Sequence, residues 1–124
     1  MKVFDVYFRH INKTMVLAKT TLFDSDLQDA ALLYKALGHP ARLQILRYLA
    51  ETKVCITSDI SEELPLSRTT VNQHLAGLKK AGLIQGHVNG KRTNYCLNPE
   101  KVKVLKKISE SLLNELQVDN SPCG

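Results

Sequence analysis

The stretch that decides the fold is residues 64–99, LPLSRTTVNQHLAGLKKAGLIQGHVNGKRTNYCLNP. It contains no Asp or Glu, and its five basic residues are Arg68, Lys79, Lys80, Lys91 and Arg92. Three of them lie in a helix-sized segment, and two follow Asn89-Gly90, a dipeptide typical of a hairpin tip. A surface without carboxylates does not repel phosphate, so this acid-free stretch is typical of a module that places a helix and a hairpin on nucleic acid.

The positive charge of the chain is confined to the acid-free stretch. The chain has 124 residues and a net charge of +5, from 17 Lys and Arg against 12 Asp and Glu. Without the five basic residues of the stretch, 12 basic and 12 acidic residues remain and cancel. A chain of this length predicts one domain with a modest core, to which association with a second copy would add stability.

Membrane and enzyme classes find no support in the sequence. No apolar run reaches the roughly 20 residues of a membrane helix, and the charged N-terminus lacks the pattern of a secretory signal. We therefore expect a cytoplasmic protein with no membrane partner. No Gly-rich phosphate loop or ordered Ser/His/Asp set is present, so we predict a binding protein that is not an enzyme and has no cofactor.

Two helices are predicted at the start of the folded domain, which we place at residues 24–118. The first begins near Ser25, with Gln28 as its capping-box partner, and stops at Gly38. The second has Pro40 at its first position and extends to about Ala50. Apolar spacing predicts that these two helices bury Leu27, Ala30, Ala31, Tyr34, Leu37, Leu43, Leu46 and Leu49.

A helix-turn-helix is predicted next. Thr57-Ser58-Asp59 caps a short helix that runs through Leu64, and Pro65 ends it. A turn of about three residues leads to a helix over residues 67–81, which Ser67 caps and Gly82 closes.

A hairpin and a last helix complete the domain. Strands over residues 83–88 and 93–97 flank Asn89-Gly90 and form a two-stranded wing. Asn98-Pro99 opens the last helix. Its apolar stripe comprises Val102, Leu105, Ile108, Leu112 and Leu116.

Two segments outside this domain complete the prediction. Residues 1–23 form an N-terminal arm whose heptad-like apolar spacing favours a helix, although its many β-branched residues oppose one. Residues 119–124 form a flexible tail. The predicted fold is mainly α, a dimeric winged helix-turn-helix with about five to six helices and a two-stranded wing.

The side chains predicted to contact DNA are the hairpin cations and the face of helix 67–81 opposite its apolar side. Arg pairs bidentately with guanine, Asn and Gln pair with adenine, and a Thr methyl contacts the thymine methyl. The N–H groups at the start of the helix can hold a phosphate. The predicted DNA-binding residues are Ser67, Arg68, Thr69, Thr70, Asn72, Gln73, Lys79, Lys91 and Arg92.

Two residue types in this helix have simpler interpretations. His74 lies beside the apolar side formed by Val71, Leu75 and Leu78, so we expect a packing or hydrogen-bonding role rather than base contact. Lys79 and Lys80 stand at the helix C-terminus, where positive charge also favours the helix dipole.

Three segments together resemble the ArsR/SmtB family of bacterial winged-helix repressors. They are ALGHPARLQILRYL (residues 36–49), SDISEELPLSRTTVNQHLAGLKKAGLI (58–84) and GKRTNYCLNPE (90–100), and the likeness covers roughly residues 27–116. It implies a homodimeric repressor that binds an inverted-repeat operator, with helix 67–81 in the major groove and the wing at residues 88–94. It also implies that the first and last helices form the dimer interface with the arm.

An interpretation of another class stays open, a winged-helix protein-interaction module that does not bind DNA.

The resemblance also implies how a dimer would meet DNA. Two-fold symmetry would place two recognition helices in successive major grooves, about 34 Å apart. Many members of the family release DNA when an effector binds.

The metal sites of the family are not matched here. Aligning Asp59 with the Asp of the family's Cys-Val-Cys-Asp-Leu box puts Ile56 and Ser58 at its two thiolate positions. The last helix offers Glu110 and Glu115 but no histidine for the second family site. We therefore predict no metal-binding residues.

The three cysteines leave a thiol-, arsenite- or metal-responsive repressor as an alternative. Cys55 and Cys96 are the candidate effector residues, and they form a redox pair only if the short helix begins near the base of the hairpin. Cys123 would be a third sulfur. The interpretation we favour is that Cys55 and Cys96 are small buried hydrophobic residues, as free cysteines usually are.

Overall fold

The structure, a computed structural model, describes residues 22–52 and 60–118. These residues form α1 (Ser25–Leu37), α2 (Pro40–Thr52), a 3-10 turn (Ile60–Glu63), α3 (Arg68–Lys80), β1 (Ile84–Asn89), β2 (Arg92–Leu97) and α4 (Pro99–Glu115). The prediction of a mainly helical chain with a two-stranded wing is confirmed. The described residues contain four α-helices, fewer than predicted. The expectations for residues 1–21 of the arm and for the tail lie outside the described residues.

A boundary between two structural units falls inside α1, between Lys35 and Ala36. In the first unit, the Gln28 amide donates to the Asp24 carbonyl (3.0 Å), and Gln28 Nε2 donates to the Phe23 carbonyl (2.6 Å). The capping box predicted on Ser25 is therefore wrong, because Ser25 is already the first helical residue.

The apolar stripe predicted for α1 has the wrong phase. Leu33 is buried, and so is Ala36 in the second unit, whereas Leu27 is 57% exposed. Apolar residues surround this helix on most sides, so spacing alone does not select the buried face.

In the second unit α2 carries the centre of the core. It begins at Pro40 as predicted, ends at Thr52, and buries Ala41, Ile45 and Leu49. Leu43 is exposed and Leu46 is half-buried, so only Leu49 of the predicted stripe is correct. α2 packs against α3 and β2, and α3 packs against β1 and the 3-10 turn. The most deeply buried side chains are Ile45, Val71, Leu78, Leu83 and Ile84.

The helix predicted over 67–81 is confirmed almost to the residue. Ser67 is its N-cap, and its buried face consists of Val71, Leu75 and Leu78. Gly82 ends the helix with φ +83°, and the Leu83 amide donates to the Leu78 carbonyl at 3.1 Å. This is the Schellman arrangement, in which a residue in the left-handed region allows the last carbonyls to be paired.

The segment before α3 differs from the prediction. The short helix predicted through Leu64 is a single 3-10 turn over residues 60–63, in which Ile60 is buried. The cap predicted at residues 57–59 lies outside the described residues.

Both strands extend one residue further toward the tip than predicted. Asn89 pairs with Arg92, so Asn89 is the last residue of β1 and the two-residue loop is Gly90-Lys91. Gly90 takes φ +66° at the first loop position. Asn and Gly both tolerate positive φ, so the dipeptide marks a turn without fixing its register.

The last helix begins as predicted and buries none of its residues. Asn98 Oδ1 accepts from the amides of Glu100 and Lys101, which caps α4. Leu105 and Ile108 of the predicted stripe are half-buried. Val102, Leu112 and Leu116 are exposed, so a large part of this apolar stripe faces solvent in a single chain.

Candidate nucleic-acid interface

The polar face of α3 points outward. Arg68, Thr69, Asn72 and Gln73 are exposed. They occupy positions i, i+1, i+4 and i+5 of the helix, which places them on one side of its first two turns. The hydrophobic face on the opposite side is inserted in the core, so the structure holds these four side chains on a fixed backbone.

Ser67 and Thr70 are engaged with each other. The Ser67 hydroxyl accepts from the Thr70 amide (3.2 Å) and donates to Thr70 Oγ1 (2.9 Å). The Ser67 side chain therefore pairs the Thr70 amide at the start of the helix.

Lys79 links the end of α3 to the wing. Its Nζ lies 3.3 Å from the point that a Cβ on Gly86 would occupy, and Thr93 Cγ2 and Tyr95 Cε1 lie 3.3 and 3.5 Å from the same point. The lysine thus extends across β1 where that strand has no side chain. Gly86 was missed from the sequence, although a glycine inside a strand often marks a close approach of this kind.

The tip of the wing carries the second part of the positive charge. Lys91 is exposed in the two-residue loop, and Arg92 is the first residue of β2. The first carboxylate after the acid-free stretch, Glu100, lies 3.8 Å from Lys103 in an exposed pair on α4.

Behind α3 lies a cluster that sequence reasoning missed except for His74. Arg42 Nε donates to His74 Nδ1 (3.1 Å), and Arg42 Nη1 donates to the Ala36 carbonyl (3.1 Å). The hydrogen-bonding role predicted for His74 is confirmed. The guanidinium occupies the space beside Gly77, where an added Cβ would lie 2.6–2.9 Å from its atoms.

The electrostatics of this cluster favour a neutral His74. The rings of His39 and His74 lie 4.2 Å apart at 38°. Partial burial lowers the pKa of His74 below its ordinary value, and the neighbouring His39 and Arg42 lower it further.

Cys96 is a half-buried residue of β2 and is disulfide-bonded. The favoured interpretation of Cys96 as a free, buried hydrophobic residue is therefore wrong. Cys55 and Cys123, the other two cysteines, lie outside the described residues, as do the aligned metal-box positions Ile56 and Ser58. Within residues 22–52 and 60–118, no three His, Cys, Asp or Glu side chains are grouped so as to hold a metal ion. The same residues include no helix with the length and apolarity to span a bilayer.

A helix with an outward polar face, preceded by a helical turn and followed by a basic two-stranded hairpin, defines a winged helix-turn-helix of the DNA-binding regulators. The model for bacterial regulatory proteins of the arsR family matches residues 39–85. The chain belongs to this family of transcriptional regulators.

Relatives support this assignment over most of the chain. An uncharacterised HTH-type transcriptional regulator of Methanocaldococcus jannaschii is 35% identical over 85 residues, 68% of this chain and 96% of the relative. The transcriptional repressor PagR of Bacillus anthracis is 33% identical over 91 residues, 73% of this chain and 87% of PagR. The solved structure of HlyU from Vibrio cholerae covers 76% of this chain and 97% of its own, with a TM-score of 0.57 and 29% identity.

Proposed function

We propose that the protein is a homodimeric repressor that binds an inverted-repeat operator, with α3 in the major groove and the wing on the flanking DNA. One observation carries the proposal. The exposed polar face of α3, formed by Arg68, Thr69, Asn72 and Gln73, belongs to an acid-free stretch that also contains the wing cations.

The side chains divide into base and phosphate contacts by their chemistry. Arg68 is suited to guanine and Asn72 and Gln73 to adenine, while Thr69 offers a methyl group to thymine. Thr70 and Ser67 order the start of the helix, whose remaining amides can bind a phosphate.

The cations at the other end of the interface bind the sugar-phosphate backbone of the DNA. Lys79 lies across β1, between α3 and the wing. This position suits it to a DNA phosphate between the site of α3 and the site of the wing. Lys91 and Arg92 at the wing contact phosphate or the adjacent minor groove.

A second copy of this chain is the partner that the exposed apolar surface fits. Leu112 and Leu116 of α4 are 37% and 58% exposed, and no residue of this 17-residue helix is buried. In the other unit, Leu22, Phe23, Leu27 and Leu32 are also exposed. Apolar surface of this extent is typical of an interface, and an isologous dimer would pair each α4 with its copy.

Repression follows from occupancy of a promoter, and it is the role named for PagR. HlyU of Vibrio cholerae is named as an activator. An in vitro transcription assay with purified polymerase distinguishes repression from activation. The proposal predicts less transcript as the protein is added, and more transcript would contradict it. We also propose that the role is binding rather than catalysis and, because the proposed ligand is promoter DNA, that the protein acts in the cytoplasm.

Selection of bound duplexes from a random pool tests DNA binding itself. The expected result is an inverted repeat whose half-site centres lie about 10 base pairs apart, one helical turn. Failure to enrich any sequence, with binding that does not change with salt, would instead support the protein-interaction module.

The disulfide at Cys96 favours a second property, a response of the repressor to thiol oxidation. Cys96 pairs with Gln85 across the hairpin, and β2 packs against α2, so a change at this sulfur acts on the base of the wing. The expected result is a several-fold difference in operator affinity between dithiothreitol and diamide, abolished by Cys96→Ser. Cys55→Ser and Cys123→Ser identify the partner sulfur. Equal affinities in both conditions would exclude the response, and a loss of affinity with arsenite alone would assign arsenite as the effector.

A further inference from the structure

Arg42 connects three parts of the second unit. It lies on the first turn of α2, its Nη1 donates to the Ala36 carbonyl at the end of α1, and its Nε donates to His74 on α3. The planar guanidinium can make these bonds at once because its donors form a fixed fork. The side chain therefore ties the helix that carries the DNA-contacting residues to the helix that forms the centre of the core.

Gly77 is the residue that admits the guanidinium. A glycine inside a helix costs about 1 kcal/mol relative to alanine, so its presence within α3 requires a reason. The reason is steric, because a Cβ there would lie 2.6 Å from Arg42 Nη2 and 2.7 Å from Cζ. One turn earlier, His74 supplies the acceptor.

We propose that Arg42 is a positioning residue for DNA recognition, which holds the outward face of α3 in its binding orientation through His74 and Gly77. The inference rests on α3 being the DNA-contacting helix of the proposed function. It adds that the orientation of this helix depends on a cation behind it that does not touch DNA.

The hydrogen bonds require both histidines to be neutral. His74 Nδ1 accepts from Arg42, so it carries no proton. His39 is the N-cap of α2, and its Nδ1 accepts from the Ala41 amide at 3.0 Å. A proton on either nitrogen removes an acceptor and adds a positive charge beside the guanidinium.

Other charged groups near α3 do not offset this effect. Glu62 and Glu63 lie on the 3-10 turn that packs against α3, and His87 lies on β1, which also packs against it. All three are exposed. The charges that act on the pKa of His74 are those of His39 and Arg42, and both lower it.

The sign of the pH effect follows from these contacts. The folded-state pKa of His74 lies below its unfolded value, which is about 6.5. The stability that the neutral His74 contributes is therefore fully present above pH 6.5 and declines as the pH falls from 6.5 toward the lower, folded-state pKa. Operator affinity should fall at lower pH than this stability does, as the pH passes through the folded-state pKa and His74 of the folded protein takes up a proton, by at most tenfold per pH unit for each His74.

Gly77→Ala tests the steric part of the inference. Alanine raises helix propensity, yet it displaces Arg42, so we expect about tenfold weaker operator binding without loss of helical circular dichroism. In an Arg42→Ala background the same change should leave affinity unaltered. Ala76→Gly, at the exposed neighbouring position, is the matched control for helix propensity. An unchanged affinity for Gly77→Ala would overturn the inference.

The pH profile tests the acceptor without depending on the glycine variant. His74→Gln keeps an acceptor that does not titrate, and His39→Asn keeps an N-cap acceptor. We expect the double variant to bind as the wild type does at pH 7.5 and to lose the decline below pH 6.5. His87→Gln, on the exposed strand, should keep that decline. A decline that persists in the double variant would overturn the inference, whereas loss of binding in Gln73→Ala bears only on the proposed function.

Discussion

Removal of the two wing cations, Lys91→Ala with Arg92→Ala, should weaken DNA binding in a way that depends on salt rather than on sequence. Each phosphate contact contributes about 0.9 to the slope of log affinity against log salt concentration. A dimer presents the pair twice, so four lost contacts would lower the slope by about 3.6, and two would lower it by about 1.8. We expect a decrease of about two to four units, equal on operator and random duplexes.

Fluorescence anisotropy of a labelled duplex between 50 and 300 mM salt, on the order of the range in which such slopes are steep, measures this quantity. Lys106→Ala with Lys107→Ala is the matched control, because it removes the same charge from exposed positions of α4. If the control lowers the slope equally, the effect is one of net charge and the wing makes no local contact. If the wing variant loses affinity for the operator alone, the wing recognises bases.

Three further variants, one of them with a matched control, test the recognition face, the core and the dimer. Gln73→Ala should cost about 1–3 kcal/mol on the operator and relax preference at one base position, which a repeated selection from random duplexes would detect. Leu78→Ala should lower the free energy of unfolding in urea by about 2–5 kcal/mol, since Leu78 is fully buried, whereas Val88→Ala on the exposed wing should change it by less than about 0.5 kcal/mol. Leu112→Glu should shift the protein toward monomer in sedimentation equilibrium, and an unchanged dimer would remove α4 from the interface.

The sequence predicted the recognition helix well because several local signals agree there. Ser67 and Gly82 mark both ends of the helix, and Val71, Leu75 and Leu78 mark one face. Capping and helical spacing act over a few residues, so they can be recognised without a structure.

Contacts between distant residues could not be predicted in the same way. Arg42 and His74 are 32 positions apart, and their hydrogen bond depends on how α2 and α3 cross. The closeness of Lys79 to Gly86 depends on how the hairpin folds back on α3. Each contact nevertheless has a local signal in the sequence, a glycine inside a helix or strand. Gly77 lies beside Arg42, and Gly86 lies beside Lys79.

The predicted burial failed where the sequence is apolar on several faces. Leu27 and Leu43 were as suitable for the core as Leu33 and Ile45, and tertiary packing selected the second pair. On α4 the predicted stripe has the right spacing, but a single chain leaves much of it exposed. The spacing fits the apolar surface that the second copy of the proposed dimer would supply.

A crystal structure with the selected duplex tests the central claim most directly. The account predicts that Asn72 and Gln73 lie within about 3.2 Å of base edges in the major groove, with Lys91 of each protomer beside the backbone. A complex in which α3 faces away from the DNA while another surface holds the phosphates would contradict it.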